Sequence, residues 1–111
     1  MMEDVKKINT NTLRSWLAEG KEVSILDIRP IHERAQSFIP GSIHVDVYNK
    51  LKTNNLSAFD GLHLDKSIPV VTFCAGGKTS LLAAEMLTQK GYNAYSLEGG
   101  LNAWNKKATS C

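Results

Sequence analysis

Short apolar runs alternate along the chain with segments whose apolar residues recur at helical spacing. We predict strands over five of these runs, at 5–8, 23–28, 43–47, 69–74 and 94–97. Helices are predicted between them, the first capped by Asn9 or Thr10 and the others at 31–38, 48–52, 79–90 and 101–107. Strands that alternate with helices indicate an α/β fold with a mainly parallel central sheet of about five strands flanked by helices.

Residues 69–74 form the clearest strand signal, with a proline at the first position, where a strand tolerates it. Its nearly continuous apolar character is typical of a parallel strand covered on both faces. The helix at 79–90 carries apolar residues on more than one face, so we expect it to be largely buried. Gly91 follows as the residue that ends it.

Length and composition indicate an ordinary globular domain. The chain has 111 residues, of which 42% are hydrophobic and 22% charged, enough to build one core. We therefore predict a single domain over 1–111, with a mobile polar tail at 106–111. The 13 basic and 11 acidic residues are scattered, which does not favour nucleic acid or a membrane surface as a partner. No signal peptide or spanning segment is recognisable, and we expect a cytoplasmic protein.

The two cysteines, Cys74 and Cys111, do not suggest a disulfide framework. Cys74 ends the clearest strand, and the loop after it leads directly into a helix. In open α/β sheets, ligands bind beyond the carboxyl ends of the strands. Backbone N–H groups turned inward by Gly76 and Gly77, together with the helix N-terminus, are expected to stabilise a thiolate and hold an anion. The alternative is that Cys74 is a small, inert core residue.

Four segments resemble the motifs of the rhodanese homology domain, in the family's order and spacing. Leu26-Asp27-Ile28-Arg29, with Glu33 a few residues on, resembles its first signature, a strand ending in L-D-x-R before a short helix. Residues 39–44 resemble its I-P-G-A-I-H turn. Residues 70–80 resemble the active-site strand and loop, and 97–104 the closing L-x-G-G-x-x-x-W. The chain is thereby identified as a rhodanese-like single-domain sulfurtransferase over nearly its full length.

The resemblance implies a reaction and a set of site residues. Cys74 would attack a donor such as thiosulfate and carry its outer sulfur as a persulfide to cyanide or a thiol. The remainder of the loop would bind the substrate, namely Ala75, Gly76, Gly77, Lys78, Thr79 and Ser80. Neither a cofactor nor a metal is expected. The partners implied are small sulfur donors and thiol acceptors.

Three other functions remain open. The protein could relay sulfur between proteins, taking it from a cysteine desulfurase and passing it to a sulfur-acceptor protein. A non-catalytic interaction module on the same fold is a further alternative, although the intact cysteine and glycine-rich loop argue against it. Phosphatase or arsenate reductase activity is disfavoured, because the related phosphatases have a loop one residue longer that contains an arginine.

Thr79 departs from the pattern of many single-domain relatives, which have arginine at the sixth position of the loop. Threonine also occurs there in sulfurtransferases, so activity remains the expectation. Recognition of an anionic donor would then depend on Lys78 and on backbone donors, and lysine does not replace arginine as a ligand for oxyanions. The preferred donor is therefore an open question.

Asp27 and Arg29 are predicted to point to opposite faces of their strand and thus not to act as a catalytic pair. A structural role is expected instead, in which one of them links loops near the site by hydrogen bonds. Glu33 is interpreted as a structural partner or a solvated helix residue. Gly99 and Gly100 are expected to form a turn with positive φ.

The remaining reactive side chains are assigned no chemistry. His32, His44 and His63 lack the spacing of metal ligands. Either His32 or His44 could approach the site in space. Cys111 is interpreted as an incidental exposed thiol, with a resolving cysteine as the alternative.

Overall fold

The apolar runs form a sheet in the computed structural model, which describes residues 5–106. Its strands are β1 (Lys6–Ile8), β2 (Ser24–Asp27), β3 (Ile43–His44), β4 (Val70–Phe73) and β5 (Ala94–Leu97). The sheet has the order β1-β5-β4-β2-β3, and every pair of neighbouring strands is parallel. The predicted α/β fold with a parallel five-stranded sheet is confirmed.

A helix follows each of the five strands. They are α1 (Thr10–Ala18), α2 (Ile31–Arg34), α3 (Tyr48–Lys52), α4 (Thr79–Gln89) and α5 (Gly100–Asn105). The predicted cap of α1 is Asn9, whose Oδ1 accepts a hydrogen bond of 2.8 Å from the Thr12 N–H. Gly91 follows α4 with a φ of 99°, a left-handed conformation that ends a helix at little steric cost when the residue is glycine.

Both faces of the sheet are covered, and β4 shows this most clearly. Val70 belongs to an apolar cluster that includes residues of α3 and α4, whereas Val71 and Phe73 belong to a cluster with residues of α1 and α5. All four β4 residues are buried, as expected for a central parallel strand with alternating side chains. Cys74, the next residue, lies on the α3–α4 side.

Two predicted elements are shorter by three residues or more than the sequence suggested. The helix predicted at 31–38 ends at Arg34, and none of its residues is buried, so no apolar face favours its extension. The strand predicted at 43–47 retains only Ile43 and His44. Beyond them the Val47 N–H bonds to the Val45 carbonyl, 2.9 Å away, which turns the chain out of the sheet.

Residues 1–4 and 107–111 are not described. The last residue of the predicted helix at 101–107, most of the predicted tail at 106–111, and Cys111 therefore lie outside the described residues. Across residues 5–106, no helix has both the length and the apolar character needed to cross a bilayer.

Candidate active site

Cys74 lies at the carboxyl end of the central strand, between the ends of β2 and β5. The residue is only 3% exposed. It contributes to the wall of a cavity of about 160 Å³. This position at the carboxyl edge of a parallel sheet is where open α/β folds bind their ligands. Access to the sulfur is therefore through this cavity.

Two backbone N–H groups of the loop donate to the Cys74 sulfur. The Gly77 nitrogen lies 3.1 Å from Sγ and the Ser80 nitrogen 3.4 Å from it. Gly77 has a φ of 100°, a conformation that β-carbon-bearing residues rarely adopt. Of the predicted donors, Gly77 and the first turn of α4, through Ser80, donate to the sulfur, whereas Gly76 lines the cavity. Backbone N–H groups in this arrangement can donate hydrogen bonds to an anion held at the sulfur.

A chain of buried hydroxyl groups lies behind the sulfur. Ser80 Oγ is 3.6 Å from Cys74 Sγ and 2.7 Å from Ser96 Oγ on the neighbouring strand β5. Thr72 Oγ1 donates to the Ser80 carbonyl over 2.8 Å, which holds the first turn of α4 against β4. When the sulfur is a thiolate, the Ser80 hydroxyl can donate to it while accepting from Ser96. No local sequence pattern indicates the part played by Ser96, because it comes from another strand.

The turn at Gly99 and Gly100 holds the other side of the loop. Both glycines have positive φ, of 74° and 58°, as expected. The N–H of Leu101 donates to the Cys74 carbonyl at 2.8 Å, and that of Asn102 to the Ala75 carbonyl at 3.0 Å. A β-carbon on Gly100 would lie 2.3 Å from the Cys74 carbonyl oxygen. The second glycine is therefore required for the close approach of α5 to the loop.

The predicted site residues form two groups, one that lines the cavity and one that contacts the sulfur. Ala75, Gly76, Lys78 and Thr79 line the cavity together with Cys74. Gly77 and Ser80 instead contact the sulfur. Ala75, Gly76 and Lys78 are exposed, so the cavity mouth is formed by the loop itself. Thr79 is the first residue of α4.

Three further residues line the same cavity: Arg29, Glu33 and Tyr48. Arg29 and Glu33 follow β2, the strand beside β4, and Tyr48 is the first residue of α3. Arg29 was predicted to be structural and Glu33 to be either a structural partner or a solvated helix residue, whereas Tyr48 was not selected. Their convergence depends on the strand order, which places the end of β2 next to Cys74.

The expectation that Asp27 and Arg29 point to opposite faces is wrong. Residues two apart in a strand share a face, and the two side chains form a bidentate pair, with Nε–Oδ1 2.9 Å and Nη2–Oδ2 2.8 Å. Arg34 Nη1 adds a third contact, 3.1 Å from Asp27 Oδ2. The expected structural role is nevertheless present, since Arg29 Nη2 also donates to the Ser37 carbonyl at 2.6 Å.

Burial and ion pairing have opposite effects on the pKa of Asp27. Burial raises the pKa of Asp27, but its hydrogen bonds with Arg29 and Arg34 and the charge of Arg29 outweigh that effect, and its pKa lies below the usual range. The pKa of Arg29 is raised, first by its hydrogen bond to Asp27 and then by the negative charges of Asp27, Glu33 and Cys74. Arg29 therefore remains a permanent cation close to the sulfur.

The histidines lie outside this cavity. His44 Nε2 is 2.8 Å from the Arg29 carbonyl oxygen and so contacts the backbone next to the site. His32 is exposed on α2. Among residues 5–106, no group of three or more histidine, cysteine, aspartate or glutamate side chains is arranged to hold a metal ion.

Comparison with known proteins agrees with this fold. Residues 9–107 match the rhodanese-like domain. The chain is 36% identical over 106 residues to the thiosulfate sulfurtransferase GlpE of Shewanella oneidensis, covering 95% of this chain and 97% of that protein. The protein therefore belongs to the rhodanese-like family, and its relatives are sulfurtransferases.

The chain is also similar to a single-domain protein of known structure and to one segment of a longer protein. The human single-domain sulfurtransferase TSTD1 matches with a TM-score of 0.74 and 27% identity, over 95% of this chain and 99% of that chain. A tRNA sulfurtransferase of Desulfurococcus amylolyticus is 40% identical over 77 residues, which are 69% of this chain and 14% of that protein. The chain spans only a small segment of that longer relative.

Proposed function

We propose that this sulfurtransferase carries sulfane sulfur as a persulfide on Cys74, taking it from a donor such as thiosulfate and giving it to cyanide or a thiol. The observation that carries the proposal is the setting of Sγ. It lies at a cavity beyond the central strand and accepts hydrogen bonds from two backbone N–H groups. An activated thiolate in this position is suited to covalent catalysis.

The first half-reaction forms the persulfide. The Cys74 thiolate attacks the outer sulfur of thiosulfate and forms a new S–S bond. The original S–S bond breaks, and sulfite leaves with its electron pair. The product is a Cys74 perthiolate, whose negative charge can be met by the Gly77 and Ser80 N–H groups.

The second half-reaction restores the thiolate. Cyanide, or the thiolate of an acceptor, attacks the terminal sulfur of the persulfide. The S–S bond breaks towards Cys74, and the product is thiocyanate or the acceptor's own persulfide. Neither half-reaction needs an external oxidant, a metal or an organic cofactor, and ping-pong kinetics are expected.

Thiosulfate is proposed as a donor because a relative that shares nearly the full length of this chain is named a thiosulfate sulfurtransferase. Thiol acceptors are proposed because they perform the same displacement as cyanide. We also propose a cytoplasmic location, where Cys74 would remain reduced between turnovers.

The second candidate is a relay in which a cysteine desulfurase supplies the sulfur and an acceptor protein receives it. Exposure of Ala75, Gly76 and Lys78 at the cavity mouth favours it, because a partner's cysteine could approach the loop there. A relative in which this domain is one segment of a tRNA sulfurtransferase is consistent with such a role. Both candidates depend on Cys74.

The test is the intact mass of the protein after incubation with thiosulfate. The unaltered protein should gain one sulfur atom that is removed by cyanide, whereas Cys74→Ser should gain none. Cys111→Ser is the matched control and should behave like the unaltered protein. A folded Cys74→Ser protein that still transferred sulfur to cyanide would overturn the proposal. Loading by a cysteine desulfurase and cysteine, without loading by thiosulfate, would favour the relay.

A further inference from the structure

The wall of the cavity around Cys74 includes one carboxylate residue. Glu33 lines this cavity together with Cys74, Lys78 and Thr79, and its side chain is half-buried. Within residues 5–106, the Glu33 carboxylate forms no ion pair or side-chain hydrogen bond. The negative charge of Glu33 acts on Arg29. Because Glu33 lines the cavity, its charge would also act on an anion that enters there.

The positive charges near the cavity are partly engaged elsewhere. Arg29 and Arg34 both pair with Asp27, so their cluster keeps an excess of one positive charge. Glu33 offsets that excess. The remaining cation of the cavity wall, Lys78, is exposed, and its charge is weakened by water and salt. The cavity thus lacks the strong positive potential that would favour a doubly charged anion.

We propose that Glu33 is a specificity-determining residue, which disfavours dianionic donors and shifts the preference towards singly charged or neutral sulfane-sulfur donors. Thiosulfonates and small organic persulfides belong to this class. The inference rests on the proposed persulfide chemistry of Cys74 and specifies which donors that site accepts. Its physical basis is Coulomb's law, because the repulsion between Glu33 and a donor is proportional to the donor's charge.

Two donors that undergo the same displacement make the inference measurable. Thiosulfate carries two negative charges and releases sulfite. Methanethiosulfonate carries one and releases methanesulfinate. In each case the Cys74 thiolate bonds to the terminal sulfur, the S–S bond of the donor breaks, and the leaving group takes the electron pair. Cys74 receives the same sulfur atom from both.

The experiment measures the second-order rate constant of persulfide formation on Cys74 in a single turnover, followed by intact mass. Glu33→Gln should raise it about fivefold for thiosulfate and about twofold for methanethiosulfonate at low ionic strength. High salt should reduce both gains, because exposed charges are then screened. A change of packing alone would alter both donors equally and would not depend on salt.

Two further variants separate the charge of Glu33 from its shape and from the total charge of the protein. Glu33→Asp retains the carboxylate and should retain nearly the original ratio between the donors. Glu22→Gln removes the same charge from an exposed residue just before β2, at the opposite edge of the sheet, and should change neither rate. Thermal unfolding of all variants checks that the fold is intact.

The outcomes distinguish this inference from the function on which it rests. Persulfide formation with an unchanged donor ratio in Glu33→Gln would overturn the role of Glu33 alone. The same shift in Glu22→Gln would also overturn it, since the effect would then reflect net charge. If the unaltered protein formed no persulfide with either donor, the proposed function would be wrong and the inference would be lost with it.

Discussion

The neighbouring strands β4 and β2 end at the same edge of the sheet, but the residues at their carboxyl ends are stabilised in different ways. After β4, the chain surrounds the Cys74 sulfur with backbone N–H groups of Gly77 and Ser80, 3.1 and 3.4 Å away. After β2, the chain buries a charged cluster in which Asp27 bonds to Arg29 and Arg34. The first region is built from backbone conformation and the second from paired side-chain charges.

The difference determines which substitutions each region tolerates. A loop that depends on backbone direction is disturbed by an added β-carbon, even where charge is unchanged. A buried ion cluster is disturbed by removal of one charge, even where volume is unchanged, because the partner is then buried without compensation. Activity should be most sensitive in the first region, and stability in the second.

The largest stability effect is expected for Asp27→Asn. Asp27 is fully buried, and its replacement leaves the guanidinium of Arg29, itself 4% exposed, without its counter-charge. Breaking a buried pair in this way costs about 3–5 kcal/mol. Urea denaturation should show that decrease in the free energy of unfolding. The matched control is Asp60→Asn, which removes the surface pair with Lys90 and should cost about 1 kcal/mol or less.

The dependence of this difference on pH follows from the lowered pKa of Asp27. A carboxylate with a depressed folded-state pKa stabilises the fold above its unfolded pKa, roughly 4, and loses that contribution as the pH falls through the folded-state pKa. The difference in the free energy of unfolding between the unaltered protein and Asp27→Asn should be constant at neutral pH and decrease in acid. A gap that does not depend on pH would contradict the pairing account.

A smaller effect, on activity, is expected for Gly77→Ala. Gly77 has a φ of 100°, and an added β-carbon would lie 3.0 Å from the Gly99 nitrogen, so the N–H that bonds to Cys74 would be displaced. Strain of this kind costs about 1–3 kcal/mol, and we expect persulfide formation to slow about tenfold or more. Gly76→Ala, where a β-carbon meets nothing within 4 Å, should have little effect.

Lys78→Ala completes this test. Lys78 is exposed, so we expect it to contribute mainly to donor affinity. Its replacement should weaken the affinity for the donor about threefold or less, and chiefly at low ionic strength. Single-turnover rates at two salt concentrations decide the order of the three variants. If Lys78→Ala slowed persulfide formation more than Gly77→Ala did, the backbone account of the loop would be wrong.

The two regions also differ in how far the sequence predicted them. The loop at 74–80 is continuous in sequence, so a cysteine between a strand and a helix, followed by glycines, indicated its position. Of its two backbone donors to sulfur, the sequence indicated Gly77 by residue and Ser80 only as part of the helix N-terminus. Prediction of the charged cluster required the correct strand periodicity, by which Asp27 and Arg29 lie on the same face. Its proximity to Cys74 required the strand order, which no local pattern contains.

The elements with strong local signals were predicted best. The central strand, the buried helix α4 and the cap of α1 at Asn9 follow from apolar runs and one capping residue. The helix at 31–38 and the strand at 43–47 were predicted too long, because their ends are set by side-chain and backbone contacts from elsewhere. Arg34, for example, donates to both Oγ and the carbonyl of Ser42, and so links α2 to the turn before β3.

A gain of activity, rather than a loss, is expected for Thr79→Arg. Thr79 lines the cavity, and across the described residues its hydroxyl makes no hydrogen bond to the Cys74 sulfur and does not cap α4. The hydroxyl that contacts the sulfur belongs to Ser80. Replacement of Thr79 therefore removes no observed contact. A guanidinium offers two charged hydrogen bonds to an oxyanion, so kcat/KM for thiosulfate should rise about three- to tenfold.

Glu33 sharpens this last test, because it lines the same cavity and would attract an arginine at position 79. An Arg–Glu pair would then cancel part of the gain in kcat/KM. The increase in kcat/KM of the double variant Thr79→Arg/Glu33→Gln should therefore exceed the product of the increases in the two single variants. Thr79→Gln, long but neutral, is the control and should give no gain for thiosulfate. A decrease of kcat/KM in Thr79→Arg would instead show that the threonine takes part in the reaction, whereas strictly multiplicative effects would show that positions 33 and 79 do not interact.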